Sequence, residues 1–349
     1  MLDVEHSPLS SLPRLGCTSY ISQTMKAAII TRPGGPEVLE IRDVPKPEPS
    51  AGQVRVRVHA FALNRADMLQ CRGAYPAPPG WPQNIPGLEY AGEIETVGPD
   101  VENIAVGDRV MGLVGGGSYA EYVVTPALHT MPIPDVLSFE HAAAIPEAFI
   151  TAYDALERVA LASGEWVLVH AVGSGVGTAV VQLAKARGAN CVGTSRTPRK
   201  LERATEFGMD TGIDSTKDDL VSVVQRVTGS GVHTAVDLIG GEQFTQTLNA
   251  MAPRGRLVLV GLTAGRRADI DLGVLLSKRL RIEGTVLRSR SEDEKTEITR
   301  AFVDANLSML ANGVLTPVVD RVFDIADVRL ALQHLEANVS FGNVVVRVV

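Results

Sequence analysis

The sequence has 349 residues, 45% hydrophobic and 21% charged, with a formal net charge of −7. That length suits two domains of ordinary size, and the acidic balance excludes the general basic footprint of a nucleic-acid binder, leaving only local basic spots to hold a phosphate. Three cysteines, Cys17, Cys71 and Cys191, exclude a disulfide framework and a four-cysteine zinc site, and no apolar run approaches the roughly 20 residues of a membrane span.

Residues 1–24, "MLDVEHSPLSSLPRLGCTSYISQT", carry early acids and scattered Ser and Pro without an apolar core of secretory length, so they read as a flexible extension. Structure is expected to begin at Met25 with the strand "KAAII", followed by the turn "GGPE" and the strand "VLEIRDV". "PKPEPSAGQ" must be loop, because proline removes donors and fixes φ. "VRVRVHAFAL" alternates basic and apolar residues, which predicts a half-buried strand. "GEIETVG", "GDRVMGLV" and "GGGSYAEYVVTPALHTMPIP" add short strands around glycine turns, the pattern of a compact barrel-like β domain.

From about residue 139 the spacing becomes helical in "SFEHAAAIPEAFITAYDALERVA", interrupted at Pro146. "GEWVLVHAV", "ANCVGTS", "TAVDLIG" and "RLVLVGL" then read as buried strands, alternating with the helices "GSGVGTAVVQLAKARG", "PRKLERATEFG" and "QFTQTLNAMAPRG". Such alternation predicts a doubly wound parallel sheet, so the fold class is α/β. After about residue 290 come two further helices, "EDEKTEITRAFVDANLSMLANG" and "IADVRLALQHLEAN", and the terminal apolar strand "GNVVVRVV". The expected division is 25–147 with 291–349 as the β-rich domain, and 148–290 as the doubly wound domain.

The strongest chemical motif is "WVLVHAVGSGVGTAVVQLAKARG". A strand over Val167–Val172 runs into the turn Gly173, Ser174, Gly175, Val176, Gly177, and a helix is expected from Thr178 to Lys185. Glycines let the backbone approach a pyrophosphate, whose charge free N–H groups at the helix start stabilise. Gly173 and Gly175 are spaced as in GxGxxG, whereas the third glycine falls at 177 rather than 178. At the end of the next strand, "GTSRTPRK" offers no acid before Glu202 to bind a ribose hydroxyl. Ser195, Arg196 and Lys200, with Arg199 nearby, instead suit a 2′-phosphate, which favours NADPH over NADH. A solvated basic loop is the competing reading.

"ALNRADMLQCRGAYPAPPG", "IPGLEYAGEIETVG", "GGGSYAEYVVTP", "AAAIPEAFITAYDAL", "HAVGSGVGTAVVQLAKARGA" and "VLRSRSEDEK" together resemble the zinc-free quinone oxidoreductase branch of the medium-chain dehydrogenase/reductase superfamily, from Met25 to the C-terminus. Within that branch, Ser174 in the glycine turn is similar to the tumour-suppressor-inducible quinone oxidoreductases. The resemblance implies a GroES-like β-rich catalytic domain joined to a Rossmann cofactor domain. It implies that Asn64 sits beside the nicotinamide, that Asp67 holds that segment in shape, and that Tyr75 lines the substrate pocket. Thr151 is similar to the threonine on the nicotinamide side, Gly175, Val176 and Gly177 to the pyrophosphate turn, and Lys200 to the lysine at the 2′-phosphate. Gly240, Gly241 and Gly261 fall at strand ends along the cofactor crevice. Two positions depart from the family: Asn343 stands where relatives often carry lysine, and Ser215 where they carry a tyrosine near the adenine ribose. The low cysteine count makes a reducing, cytoplasmic compartment the expectation, and the resemblance implies a homodimer or homotetramer.

Zinc-dependent relatives carry Cys at the place of Asn64 and His at the place of Leu88, so this chain lacks their ligand set. Glu89 alone holds no catalytic ion and is expected to pair with a base or fix its turn through backbone N–H groups. Without a Lewis acid, alcohol oxidation is a poor candidate. A quinone or enone, by contrast, accepts hydride with positioning and a hydrogen bond. The expectation is therefore an NADPH-dependent quinone reductase without metal, its pocket near Asn64, Tyr75 and Trp81. The alternatives are an enone or enoyl reductase and a non-catalytic NADPH sensor. Asn64 also reads as a backbone cap and Tyr75 as packing, and His59, His129 and His170 read as structural.

Overall fold

The computed structural model describes residues 23–349; the expected N-terminal extension lies almost wholly outside them. Thr24–Ile30 and Leu39–Pro45 form an antiparallel two-stranded sheet. The larger β unit runs in the spatial order Val319–Asp324, Asn343–Arg347, Gln53–Leu63, Glu89–Val97, Arg109–Leu113, Thr130–Pro132, with Tyr122–Pro126 also paired to Gln53–Leu63. The C-terminal strand thus joins the β unit, antiparallel to Gln53–Leu63 with Val344 opposite Leu63.

Gln53–Leu63 is more deeply buried than its alternation predicts. Arg55, 6% exposed, is covered because its guanidinium pairs with Glu95 and Glu48, each at 2.7 Å. Lys46 reaches Glu95 at 2.7 Å and lies over the Tyr122 ring. These cations hold the Glu95 carboxyl down at about 2, against the opposing effect of burial.

Trp166–Val169, Asn190–Ser195, Thr211–Asp214, Val232–Asp237, Met251–Leu259 and Arg281–Gly284 make an all-parallel sheet. Numbered within this sheet, their spatial order is 3-2-1-4-5-6, the doubly wound dinucleotide-binding order, whose crevice opens between the first and fourth strands. Pro146 does not merely interrupt a helix. It starts a new one, Pro146–Arg158, after the short helix Phe139–Ala142, since its fixed φ suits the first helical turn. The largest apolar core runs from Ala60, Met111 and Met131 of the β unit through Phe149 and Ile150 to Val167 of the parallel sheet and Val180 of the helix Gly175–Ala186. No helix of the described residues is long and apolar enough to cross a membrane.

Candidate functional site

Asn64 ends the long Gln53–Leu63 strand and caps the helix Arg65–Cys71. Its backbone N–H donates to Asp67 Oδ2 at 2.7 Å, the return half of a capping box. Tyr119 Oη donates to the same oxygen at 2.8 Å. Asp67 therefore shapes the segment from a fully buried position, and burial pushes its carboxyl up to about 6. The Asn64 side chain donates through Nδ2 to Glu89 Oε1 at 2.8 Å. Glu89 Oε2 accepts the backbone N–H of Glu147, also at 2.8 Å. Glu89 thus ties strand, cap and helix start together through an amide and a backbone N–H, with no basic partner within ion-pair distance among the described residues. Burial and the neighbouring Glu147 push its carboxyl up to about 8, against those two donors.

Tyr75 is half-buried under the guanidinium of Arg288, whose centre lies 4.9 Å from the ring centroid. Arg288 donates to the carbonyls of Gly115 at 2.8 Å and Tyr75 at 3.0 Å, and to Gln70 Oε1. Arg288 lies in the stretch "VLRSRSEDEK". Arg290 and Lys295 accompany it there, so nothing local singles it out. Glu147 was missed as well, hidden inside an alanine-rich helix. Thr151, one turn beyond Glu147, is buried with no hydrogen-bond partner for its hydroxyl among the described residues. Trp81 packs against Gly115 and faces a separate cavity of about 620 Å³, lined by Met25, Val44, Ile85 and Glu292 among others. Neither Asn64 nor Tyr75 lines that cavity.

The glycine turn differs from its sequence reading. The strand stops at Val169 and the helix already begins at Gly175, so Val176 and Gly177 lie in its first turn. Ser174 is the N-cap, and its Oγ accepts the Gly177 N–H at 3.0 Å, which is why helix geometry starts early. A Cβ on Gly175 would lie 2.1 Å from Asn343 Oδ1, and one on Gly177 2.5 Å from the Ala171 carbonyl. Asn343 is buried, its amide directed at the Ala144 and Val318 carbonyls at 3.3 Å each. Gly342 N–H donates to the Gly173 carbonyl at 2.9 Å, which seats the C-terminal strand on the turn. Gly240 and Gly241 have φ of +64° and +62°, and their loop packs on Ala264 and Gly265. A Cβ on Gly261 would meet the Leu238 carbonyl at 2.4 Å. Backbone approach between these two loops accounts for all three glycines.

At the end of the Asn190–Ser195 strand, Ser195 Oγ accepts the Thr197 N–H at 3.1 Å. Arg196 is exposed, while Lys200 is buried and donates to the Asn338 carbonyl at 2.8 Å. Arg65, from the helix after Asn64, donates to Asn338 Oδ1 at 2.8 Å. Burial and the mutual repulsion of Arg65, Arg196 and Lys200 lower the pKa of both Arg65 and Lys200. Arg65 comes from the other side of the cleft and went unnoticed in the sequence, where it lies 135 positions before Lys200. A dinucleotide fits these residues: the cations share a neutral partner, the glycine turn leaves no room for a Cβ, and Thr151 has an unpartnered hydroxyl. Where zinc-dependent relatives place a ligand, Leu88 is buried in the interior at 1% exposure, worth roughly 2 kcal/mol of burial. Among the described residues no group of three His, Cys, Asp or Glu side chains is placed to hold a metal ion.

Comparison with known proteins agrees with this architecture. Residues 50–135 match the family described as "Alcohol dehydrogenase GroES-like domain", and residues 175–303 that described as "Zinc-binding dehydrogenase". A quinone oxidoreductase-like protein 2 homolog of Nematostella vectensis is 36% identical over 84% of this chain and 81% of its own. A quinone oxidoreductase of Pseudomonas aeruginosa is 34% identical, covering 89% of this chain and 96% of its own. A mycobacterial protein solved in complex with NADPH superposes with a TM-score of 0.84 at 30% identity, covering 93% of this chain and 100% of its own. The chain belongs to the medium-chain dehydrogenase/reductase superfamily, in its quinone oxidoreductase branch.

Proposed function

We propose that this oxidoreductase uses NADPH to reduce a quinone, or a similarly conjugated carbonyl, by direct hydride transfer without a metal ion. The observation that carries this reading is the cluster of Arg65, Arg196 and Lys200 beside a strand end that offers no carboxylate to a ribose hydroxyl. The mycobacterial neighbour solved with NADPH supports the same cofactor. When bound, the nicotinamide supplies the hydride. The chain supplies placement. The turn at Ser174, Gly175, Val176 and Gly177 receives the pyrophosphate, Ser195 and the cations take the 2′-phosphate, and Thr151 meets the nicotinamide. Gly240, Gly261 and Asn343 wall the crevice. Asn64 keeps one amide hydrogen for a ligand after bonding Glu89, and Tyr75 lines the acceptor side. A conjugated acceptor spreads the incoming charge onto oxygen, so alignment and a hydrogen bond suffice.

The C-terminal strand's pairing with Gln53–Leu63 supports a catalytic domain of 25–147 with 291–349, around a cofactor domain of 148–290. Cys71 and Cys191 are buried free thiols, which suits the cytoplasm. The edge strand Arg281–Gly284 is exposed along its length beside the helix Leu272–Lys278, whose Leu272 and Leu276 face outward, which suits a homodimer built edge to edge or a tetramer of such dimers.

The test is NADPH oxidation against ortho- and para-quinones, enones and enoyl thioesters. Turnover is expected with quinones. Turnover confined to enoyl thioesters would favour the enoyl reductase, and tight NADPH binding without consumption would favour the sensor.

A further inference from the structure

Glu147 is the second residue of the helix Pro146–Arg158, and its backbone N–H is anchored on Glu89 Oε2 at 2.8 Å. Its main chain is therefore held in place whatever its side chain does. The carboxyl itself, half-buried, forms no hydrogen bond or ion pair with any described residue. Asp67, Arg288 and Lys295 are close enough to act on it electrostatically, and it acts in turn on Glu89 and Tyr75. Arg288 does not quench it, because that guanidinium is committed to Gly115, Tyr75 and Gln70. The unpartnered Thr151 hydroxyl lies one turn along the same helix face. Glu147 thus shares its helix with Thr151, assigned to the nicotinamide, and lies near enough to Tyr75, assigned to the acceptor, to influence that ring electrostatically.

We propose that Glu147 is a catalytic acid, which donates its proton to the acceptor oxygen once hydride has arrived. This rests on the reductase reading above. Hydride delivers two electrons and one proton to the quinone and leaves an anionic oxygen. The Glu147 carboxyl O–H breaks as the new O–H of the hydroquinone forms, leaving a carboxylate that water reprotonates. Burial and Asp67 push the Glu147 carboxyl up to about 7, while Arg288 and Lys295 pull it the other way. A proton held there is available near neutrality, where general acids work best.

Glu147→Gln keeps the shape and removes the proton. Its kcat with a para-quinone should fall about 100-fold, the ordinary scale of general acid catalysis. NADPH affinity, read by binding rather than turnover, should stay unchanged. Wild-type kcat should decline as pH rises through the Glu147 pKa, Glu147→Gln should lose that decline, and Glu147→Asp should retain it at reduced kcat. A folded Glu147→Gln protein with wild-type kcat and wild-type pH dependence would overturn the proposal and leave the reductase reading standing. A wild type that reduces no quinone or enone would overturn both. Should Glu147→Gln fail to fold, Glu147→Asp decides, and a pH-independent kcat in that variant also overturns the proposal.

Discussion

Asn64 donates one amide hydrogen to Glu89, and Glu89 uses its other oxygen on the Glu147 N–H. Replacing Glu89 by Gln sets a donor against one of those two donors, so unfolding free energy should drop by about 1–3 kcal/mol in urea titrations. The pH dependence has a definite sign. The Glu89 carboxyl titrates near 8 in the folded chain against an ordinary 4.5, so its contribution to stability is fully present below 4.5 and is lost as pH rises through about 8. The wild-type Tm should therefore decline between about pH 4.5 and 8, and Glu89→Gln should flatten that decline. At the other end of the cleft, Lys200→Ala or Arg65→Ala should raise the KM for NADPH by about 10- to 100-fold, the worth of a charged hydrogen bond, and leave NADH nearly untouched. Equal effects on both cofactors would remove the phosphate role. Asn64 was legible at this scale from its neighbours in the chain. Arg65, Glu147 and Arg288 were not, because each acquires its surroundings from segments remote in sequence.

The first parallel strand, its turn and the helix Gly175–Ala186 act as one element. Gly177→Ala drives a methyl into backbone rather than into a mobile side chain, and should cost about 2–4 kcal/mol of stability in thermal or urea melts. His170, just past the strand, is fully buried between Thr194 Oγ1 at 2.9 Å and Thr247 Oγ1 at 2.7 Å. Burial lowers its pKa below the ordinary 6.5, against the pull of Asp237. As pH falls below 6.5 the unfolded chain takes a proton that the folded chain refuses, so stability should fall on the acid side of that value. His170→Gln, which keeps polar partners for both threonines, should remove that part of the acid loss in a Tm-against-pH series. Long periodic elements were readable from sequence. The strand Thr211–Asp214 and the helix Leu220–Thr228 after it were passed over, since four residues including a glycine carry little alternation. The helix Leu272–Lys278 and the strand Arg281–Gly284 were passed over too, because neither buries a side chain in this chain alone.

At the scale of the molecule, those last two elements mark the exposed edge of the parallel sheet. Leu272 is 70% exposed, Leu276 79% and Ile282 38%, an apolar strip beside unpaired strand backbone. Charged substitutions at Leu276 and Ile282 together should turn an edge-to-edge dimer into monomer in sedimentation velocity, with the fold intact by circular dichroism. The C-terminal strand couples the two halves of the cleft: Val344 pairs with Leu63, next to Asn64, while Gly342 bonds the turn at Gly173. By itself the sequence determined the α/β class, the parallel sheet and the presence, though not the bounds, of the glycine turn, because periodicity and glycine chemistry act within a few residues. The tertiary structure alone decided what surrounds each charge. Burial brought Glu89, Glu147 and Arg288 together, and Arg65 crossed the cleft to join Lys200, because desolvation and Coulomb forces depend on distance in space and not along the chain.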